Sequence, residues 1–229
     1  MRSSFVLGTL FVLCAAAPIS PSLGQIADGS FETQAPAEIG ANPGYCYGNG
    51  GGGGAFECTD GNSPWFAASG GGYQIETNSA WPGTPTPDGS YYAFIQNGGS
   101  VNQQFTATDT GMFMINFLVA GRDGTVMPGN EAYEVLLDGN PIFTDSTTTA
   151  QPFTSRTTNP FSLIAGNLYS LSFHGLNLTG GDNTAYIDAV SLVPAGVPEP
   201  SSWAMMLLGF AAIGIAARGK RSTDLAQLA

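Results

Sequence analysis

The chain has 229 residues and a formal net charge of −11, with 6 Lys and Arg residues against 17 Asp and Glu residues. A chain this acidic repels phosphate backbones, which excludes nucleic acid as a partner. The acidity suits solubility outside a cell and the binding of cations such as Ca²⁺, and solubility alone is the simpler explanation.

Residues 1–24 have the pattern of a secretory signal peptide, which predicts export and an N-terminal signal helix. Arg2 provides the positive charge, residues 5–17 are apolar, and Ser22 and Gly24 are the small residues expected before a cleavage site. An uncleaved anchor is the alternative, but the apolar run is short for a membrane span. We therefore expect the folded domain to cover residues 25–196.

Cysteine usage predicts one disulfide in the exported part. Cys14 leaves with the signal peptide, so Cys46 and Cys58 remain as a pair. In an exported chain such a pair is expected to be oxidised, and closing this short loop contributes about 3 kcal/mol. A zinc site is the alternative, but His174 is the sole histidine of the sequence.

The sequence of the domain predicts short strands throughout. Apolar and polar residues alternate over 113–119 and 169–174, and Asp138-Gly139 provides the turn of a hairpin over 133–143. Further strands are predicted at 72–77, 91–96, 101–106, 153–157, 159–163 and 185–193. No stretch has a convincing helical period, so we predict an all-β, antiparallel β-sandwich. Chain order alone does not separate a jelly roll from an immunoglobulin-like sandwich.

The segment from residue 197 to residue 221 carries a specific motif. It contains Pro198, Glu199, Pro200 and Trp203, an apolar run to residue 217, and a basic cluster of Arg218, Lys220 and Arg221. The segment resembles the PEP-CTERM sorting domain in its Pro-Glu-Pro-x-x-Trp-Ala form, and the polar tail 222–229 is a departure from it. The resemblance implies recognition by an exosortase, a membrane transpeptidase-like enzyme, in a Gram-negative bacterium that makes exopolysaccharide.

The physical properties of this segment agree with that resemblance. Residues 203–217 would span about 22 Å as a helix, somewhat less than the ~30 Å hydrocarbon core of a bilayer. The basic cluster would stay cytoplasmic and leave the acidic domain outside. We expect transient inner-membrane anchoring, followed by a location in the cell envelope or extracellular matrix. An ordinary tail anchor is the alternative.

The two ends of the domain also have a familiar sequence. Residues 28–32 (Asp-Gly-Ser-Phe-Glu) and 186–192 (Tyr-Ile-Asp-Ala-Val-Ser-Leu) resemble jelly-roll domains of the galactose-binding-like group, which includes many carbohydrate-binding modules. The resemblance implies that both segments lie on neighbouring strands, which often hold a structural Ca²⁺. We therefore name Asp28, Glu32 and Asp188 as candidate ligands.

The last predicted strand gives a second reason for a cation. Tyr186, Asp188, Val190 and Leu192 would share one face, and on a core-facing side Asp188 would be a buried carboxylate that needs compensation. Ca²⁺ held by carboxylates and backbone carbonyls would provide it. The alternative is that Asp188 caps a turn or accepts hydrogen bonds from backbone amides.

Several aromatic residues are candidates for stacking against a sugar ring: Trp65, Trp81, Tyr73, Tyr91 and Tyr92. The alternative is that they pack in the core. With one histidine and no carboxylate pair marked by a motif, the sequence does not predict an enzyme. We therefore expect a non-catalytic surface or matrix protein that binds polysaccharide. A purely structural surface protein and an extracellular glycan-acting enzyme are the alternatives.

Overall fold

The computed structural model describes residues 26–40, 42–48, 56–59, 64–76, 84–124, 130–178, 181, 183–196 and 208–210. Helix α1 spans Gln34–Ile39. The strands are β1 (Tyr45–Tyr47), β2 (Trp65–Ala67), β3 (Gly71–Ile75), β4 (Tyr91–Gln96), β5 (Ser100–Thr106), β6 (Gly111–Gly121), β7 (Ala132–Leu137), β8 (Asn140–Ser146), β9 (Thr154–Thr157), β10 (Phe161–Leu163), β11 (Leu168–Gly175) and β12 (Thr184–Pro194).

These strands form two antiparallel sheets. The seven-stranded sheet has the order β1-β3-β4-β12-β6-β10, with β9 also paired to β6, and the five-stranded sheet has the order β2-β5-β11-β7-β8. The prediction of an all-β antiparallel sandwich is confirmed, while the jelly-roll and galactose-binding-like assignment stays a prediction.

The core lies between the two sheets and is built by alternation along the strands. Its members on β6 and β11 are Phe113, Ile115, Phe117, Val119, Leu171 and Phe173. Phe117 and Phe173 meet across the sheets with ring centroids 5.1 Å apart. Each large apolar side chain buried in this way contributes about 1.5–3 kcal/mol, so the predicted period-2 pattern is what holds the sandwich together.

An ion pair joins the two sheets at one edge. Arg156 on β9 donates from Nε to Oδ2 of Asp145 on β8 at 2.6 Å. Burial opposes ionisation of Asp145, but the hydrogen bond and charge of Arg156 hold its pKa below the usual value. Arg156 is therefore engaged at the edge of the sandwich.

The predicted disulfide is present. Cys46 on β1 is bonded to Cys58, with their Cα atoms 4.8 Å apart. Two backbone hydrogen bonds of 2.7 Å, from Tyr47 N to Phe56 O and from Cys58 N to Tyr47 O, run beside it. The bridge therefore fastens a segment to the β1 edge of the seven-stranded sheet.

The domain also contains a short helix that the sequence pattern did not predict. Helix α1 has six residues, too few for a recognisable helical period. The carboxylate of Asp28 accepts the amides of Thr33 at 3.2 Å and Gln34 at 2.7 Å, which satisfies donors at the start of the helix.

The prediction that Tyr186, Asp188, Val190 and Leu192 share one face of the last strand is wrong. Residue Ala189 has φ of 48°, and the pairing of β12 with β6 shifts between Asp188 and Ser191. This β-bulge moves the side-chain alternation by one residue. Ala185, Ile187, Val190 and Leu192 therefore face the core, whereas Asp188 lies on the outer side with Tyr186.

The predicted terminal helices fall largely outside the described residues. None of residues 1–24 is described, and of the predicted membrane helix 203–217 the structure describes residues 208–210, which are helical. Within the described ranges, no helix has the length and apolar character needed to cross a membrane.

Candidate functional site

The outer face of the five-stranded sheet is polar over the middle of β5 and β11, because these two strands turn most of their apolar residues toward the core. On β5, Val101 and Phe105 are buried and Asn102 and Gln104 face outward. On β11, Leu171 and Phe173 are buried, and the residues that alternate with them, Ser170, Ser172 and His174, face outward. Neutral hydroxyl and amide side chains therefore lie side by side on neighbouring strands.

A groove of about 520 Å³ runs over this face. Its described lining residues are Pro64, Phe66, Asn102, Gln103, Gln104 and Ser170. Phe66 is 57 % exposed, which leaves one side of an aromatic ring open beside the amide groups. None of these lining residues carries a charge.

The position of Phe66 follows from its neighbours on β2. Trp65 and Ala67 are buried in the core, so alternation places Phe66 outside. Trp65 is fixed there by hydrogen bonds from Nε1 to the carbonyl oxygens of Ala27 at 2.9 Å and Asp28 at 3.0 Å. The exposed ring is therefore a consequence of the anchored tryptophan beside it.

Strand register arranges the groove residues in two rows across the sheet. Phe66 pairs with Asn102 and Asn102 with Ser172, while Gln104 pairs with Ser170 in the next row. With strands about 4.8 Å apart, the row from Phe66 to Ser172 spans about 10 Å. Nδ2 of Asn102 donates to Phe66 O at 3.2 Å and to Ser100 Oγ at 3.1 Å, which orients the amide.

Gln103 supports the groove from below. Although it lies on the core side of β5 and is 2 % exposed, its amide forms a pair of hydrogen bonds with Ala27. Oε1 accepts the Ala27 amide at 2.9 Å, and Nε2 donates to the Ala27 carbonyl at 2.8 Å. This pairing ties the N-terminal segment to the middle of β5.

A second polar feature lies on the same sheet face. Nδ1 of His174 on β11 is 3.0 Å from Oε1 of Glu134 on β7. Both side chains are partly exposed, as the alternation on β11 predicts for the histidine. The pair is a cross-strand contact on the outer face, outside the described lining of the groove.

The predicted sugar-stacking residues are not at this groove. Trp65, Tyr73 and Tyr92 are at most 2 % exposed, so the stacking prediction is wrong for these three. Tyr91 is half-buried and packs against the core, and Trp81 lies outside the described residues. Sequence reasoning missed Phe66, although the alternation in Trp65-Phe66-Ala67 was a usable signal.

The predicted metal ligands lie near one junction but serve different partners. The amide of Val190 donates to Gly29 O at 2.9 Å, so the two matched segments do meet. Oε1 of Glu32 accepts the amides of Ser90 and Tyr91, each at 2.7 Å. Asp28 instead serves the start of α1. Among the described residues, no group of three or more His, Cys, Asp or Glu side chains is arranged to hold a metal ion.

Asp188 is the most unusual carboxylate at this junction. It is fully buried, Oδ2 accepts a hydrogen bond from Thr86 Oγ1, and Oδ1 accepts the amide of Ala189 at 2.7 Å. Burial raises its pKa to about 7 against the effect of those two donors, and the charges of Asp88 and Glu32 raise it further. The ionised form is therefore costly unless a cation accompanies it.

Glu131 is a buried carboxylate that sequence reasoning did not single out. Oε1 accepts the amides of Leu176 at 3.2 Å and Asn177 at 3.1 Å, and Oε2 accepts the amide of Asn97 at 3.1 Å. Burial raises its pKa to about 7 even though these three amides oppose the shift. Glu131 thus joins two loops at one end of the sandwich, which is a structural role.

Solved structures similar to this chain include a family 35 carbohydrate-binding module from Clostridium thermocellum, with 16 % identity, a TM-score of 0.41, and coverage of 57 % of this chain and 92 % of that one. The CBM22-1 xylan-binding domain from Paenibacillus barcinonensis has 10 % identity, a TM-score of 0.42, and coverage of 59 % and 88 %. A GH26-CBM35 β-(1,4)-mannanase from Podospora anserina has 16 % identity, a TM-score of 0.39, and coverage of 60 % and 29 %. At these values the likeness does not say what this chain binds.

No curated protein matches the chain. The model of the PEP-CTERM protein-sorting motif matches residues 196–221. That range contains the Pro-Glu-Pro sequence, Trp203 and the basic cluster, so the predicted tag is confirmed. This chain therefore carries a PEP-CTERM sorting motif behind a β-sandwich domain.

Proposed function

We propose that this chain is an exported, non-catalytic protein that binds polysaccharide through the groove on its five-stranded sheet. The observation that carries the proposal is the exposed ring of Phe66 beside the neutral side chains of Asn102, Gln104 and Ser170. A flat apolar ring suits the C–H face of a pyranose, and amides and hydroxyls suit its hydroxyl groups.

The proposed role of Phe66 is tested by glycan binding of the purified full chain in detergent. Phe66→Ala should weaken binding to any glycan recognised on an array by at least about tenfold, because the stacking surface is lost. Ile164→Ala is the matched control, since Ile164 is 56 % exposed and lies in the loop between β10 and β11. Equal loss in both variants, or no binding to any glycan, would reject the groove and leave a purely structural role.

The proposed destination is the cell envelope or extracellular matrix of a Gram-negative bacterium, reached through exosortase processing. The matched motif at 196–221 supports this, together with the signal-peptide pattern of residues 1–24. In this proposal the apolar run 203–217 holds the precursor in the inner membrane before processing. A role in exopolysaccharide or biofilm material outside the cell would follow from that location.

Processing is tested by the intact mass of the protein recovered outside the cell. We expect the mature form to lack residues 1–24 and the segment 203–221. A chain with Glu199→Ala and Pro200→Ala should stay in the membrane fraction at the mass of the anchored precursor. An extracellular form that still contains residues 203–221 would contradict the sorting proposal.

The proposal includes a structural Ca²⁺ at the junction of Glu32 and Asp188. Asp188 is fully buried, and the charges of Asp88 and Glu32 act on it. Of the two basic residues of the domain, Arg156 on β9 is bonded to Asp145, and Arg122 follows the end of β6. A bound Ca²⁺ would offset the charge of Asp188 and would prefer the oxygen ligands found there. Asp28 is not part of this proposed set, because its carboxylate faces the start of α1, whereas Glu32 and Asp88 are the carboxylates whose charges act on Asp188.

A further inference from the structure

We infer that the groove selects uncharged glycans and rejects glycans that carry uronate or sulfate groups. This inference rests on the proposed function and adds the charge class of the ligand. Its basis is the position of Asp138 beside the groove, together with the positions of the cationic side chains of the domain.

Asp138 is held one strand away from the groove. Its Oδ1 accepts the amide of Ser170 at 2.8 Å, and its own amide donates to Ser170 O at 2.8 Å. Asp138 and Gly139 have φ of 50° and 76°, so a tight hairpin turn fixes the backbone that carries this carboxylate. Ser170 lines the groove, and a negative charge is therefore built into its border.

The cationic side chains of the domain are engaged or buried elsewhere. Arg156 is bound to Asp145 at 2.6 Å on the β8–β9 edge, and Arg122 is 5 % exposed. His174 faces Glu134, so that pair adds a second carboxylate to the same sheet face. Among the described residues, none places a guanidinium or ammonium group at the groove.

An anionic sugar in the groove would therefore meet neutral amides, the carboxylate of Asp138 and the negative field of a chain with net charge −11. A neutral sugar forms the same hydrogen bonds without that repulsion. Selection against a competitor by a repulsive group is a common source of specificity. For charges a few ångströms apart near a protein surface, the repulsion corresponds to about tenfold or more in affinity.

The test compares neutral hexose and pentose oligosaccharides with their uronate- and sulfate-bearing counterparts, using the full chain on one array in low salt and in 0.5 M NaCl. We expect binding to neutral glycans, with anionic counterparts at least about tenfold weaker in low salt. High salt should narrow the difference, because screening shortens the range of the repulsion. Equal binding of both classes would overturn the inference and leave the proposed function standing. Binding of neither class would reject the proposed function itself.

The matched variants are Asp138→Asn and Glu57→Gln. Asparagine favours positive φ and Asn-Gly hairpin turns, so Asp138→Asn keeps the turn and removes the charge. It should leave affinity for neutral glycans within about twofold and raise affinity for anionic ones about three- to tenfold. Glu57 is exposed beside β1 on the other sheet, so Glu57→Gln makes the same net charge change at a distance. An equal effect of both variants, or a loss of both ligand classes in Asp138→Asn, would contradict the role given to Asp138.

Discussion

The two outer sheet faces of this sandwich have opposite characters. On the five-stranded sheet, the outward residues in the middle of β5 and β11 are polar, and Phe66 on β2 is open to solvent. On the seven-stranded sheet the outward residues Tyr92, Phe94 and Tyr186 are fully buried in a second apolar cluster. Tyr47 and Phe153 pack against that cluster from β1 and from the connection before β9. Equal alternation along the strands thus gives an open face over β5 and β11 and a covered face over β4 and β12.

This difference separates aromatic residues that stabilise the fold from one that is available to a ligand. Tyr92 and Tyr186 pack as a tilted pair with ring centroids 4.8 Å apart, and Tyr47 meets Phe94 edge-on at 5.2 Å. These rings are buried against one another, so their faces are not available to a ligand. In the part of the chain that the structure describes, no ring packs against the outward side of Phe66, which is why the groove rather than the tyrosine cluster is the candidate binding surface.

Removing one aromatic ring from each face should change the free energy of unfolding by very different amounts. Phe94→Ala should lower the free energy of unfolding by about 3–5 kcal/mol, because it leaves a cavity in a fully buried cluster. Phe66→Ala should change it by no more than about 0.5 kcal/mol, because the ring is already exposed. Chemical denaturation of both full-length variants measures the difference. Similar losses in the two variants would show that the faces do not differ as described.

A smaller effect is expected from two carboxylates on the opposite faces, buried Asp188 and partly exposed Glu134. If Ca²⁺ binds only the folded chain, a hundredfold excess over Kd stabilises it by about 2.7 kcal/mol. EDTA should then lower the melting temperature of the unaltered chain by several degrees. Asp188→Asn should have a lower melting temperature that EDTA does not change. Glu134→Gln should respond to EDTA as the unaltered chain does. An unchanged melting curve in EDTA, with no calcium by elemental analysis, would reject the ion.

The buried carboxylate of Asp188 should also make the stability of the folded chain depend on pH. Burial raises the pKa of Asp188 to about 7 in the folded chain, well above the value near 4 usual for an unfolded aspartate. Between about pH 4 and 7 the folded state therefore binds a proton that the unfolded state has released, and stability without metal falls as pH rises through this window. Glu131 acts in the same direction. Asp188→Asn should flatten part of this slope, and Ca²⁺ should oppose it because the ion favours the charged form.

Much of the fold was predictable because it depends on local alternation. The strand predicted at 91–96 is β4 itself, and the hairpin around Asp138-Gly139 has its turn where the sequence places it. The disulfide was predictable because two cysteines remain in the exported part. The short elements β1, β2 and α1 were missed, because three residues of a strand, or fewer than two turns of a helix, show too little periodicity to be recognised.

The candidate site was less predictable, for reasons visible in two residues. Trp65 looked like a ligand-binding ring, but its indole N–H finds the carbonyl oxygens of Ala27 and Asp28 inside the fold, and Phe66 takes the exposed position. Asp188 was predicted to share a face with Val190 and Leu192, but the bulge at Ala189 puts those two residues in the core and leaves Asp188 on the outer side. Both outcomes depend on contacts between segments far apart in the chain.

The export pattern, the PEP-CTERM motif at 196–221, the acidic charge, the disulfide pair and the antiparallel β character could all be predicted from the sequence. These are properties of composition, short motifs and period-2 alternation, which do not require knowledge of distant neighbours. Only the packing of the folded chain shows which sheet face is covered, which aromatic ring is exposed and which carboxylate borders the groove. Exposure and electrostatic environment are set by packing between strands that are remote in sequence, so alternation can place a side chain on a face but cannot say what lies over that face.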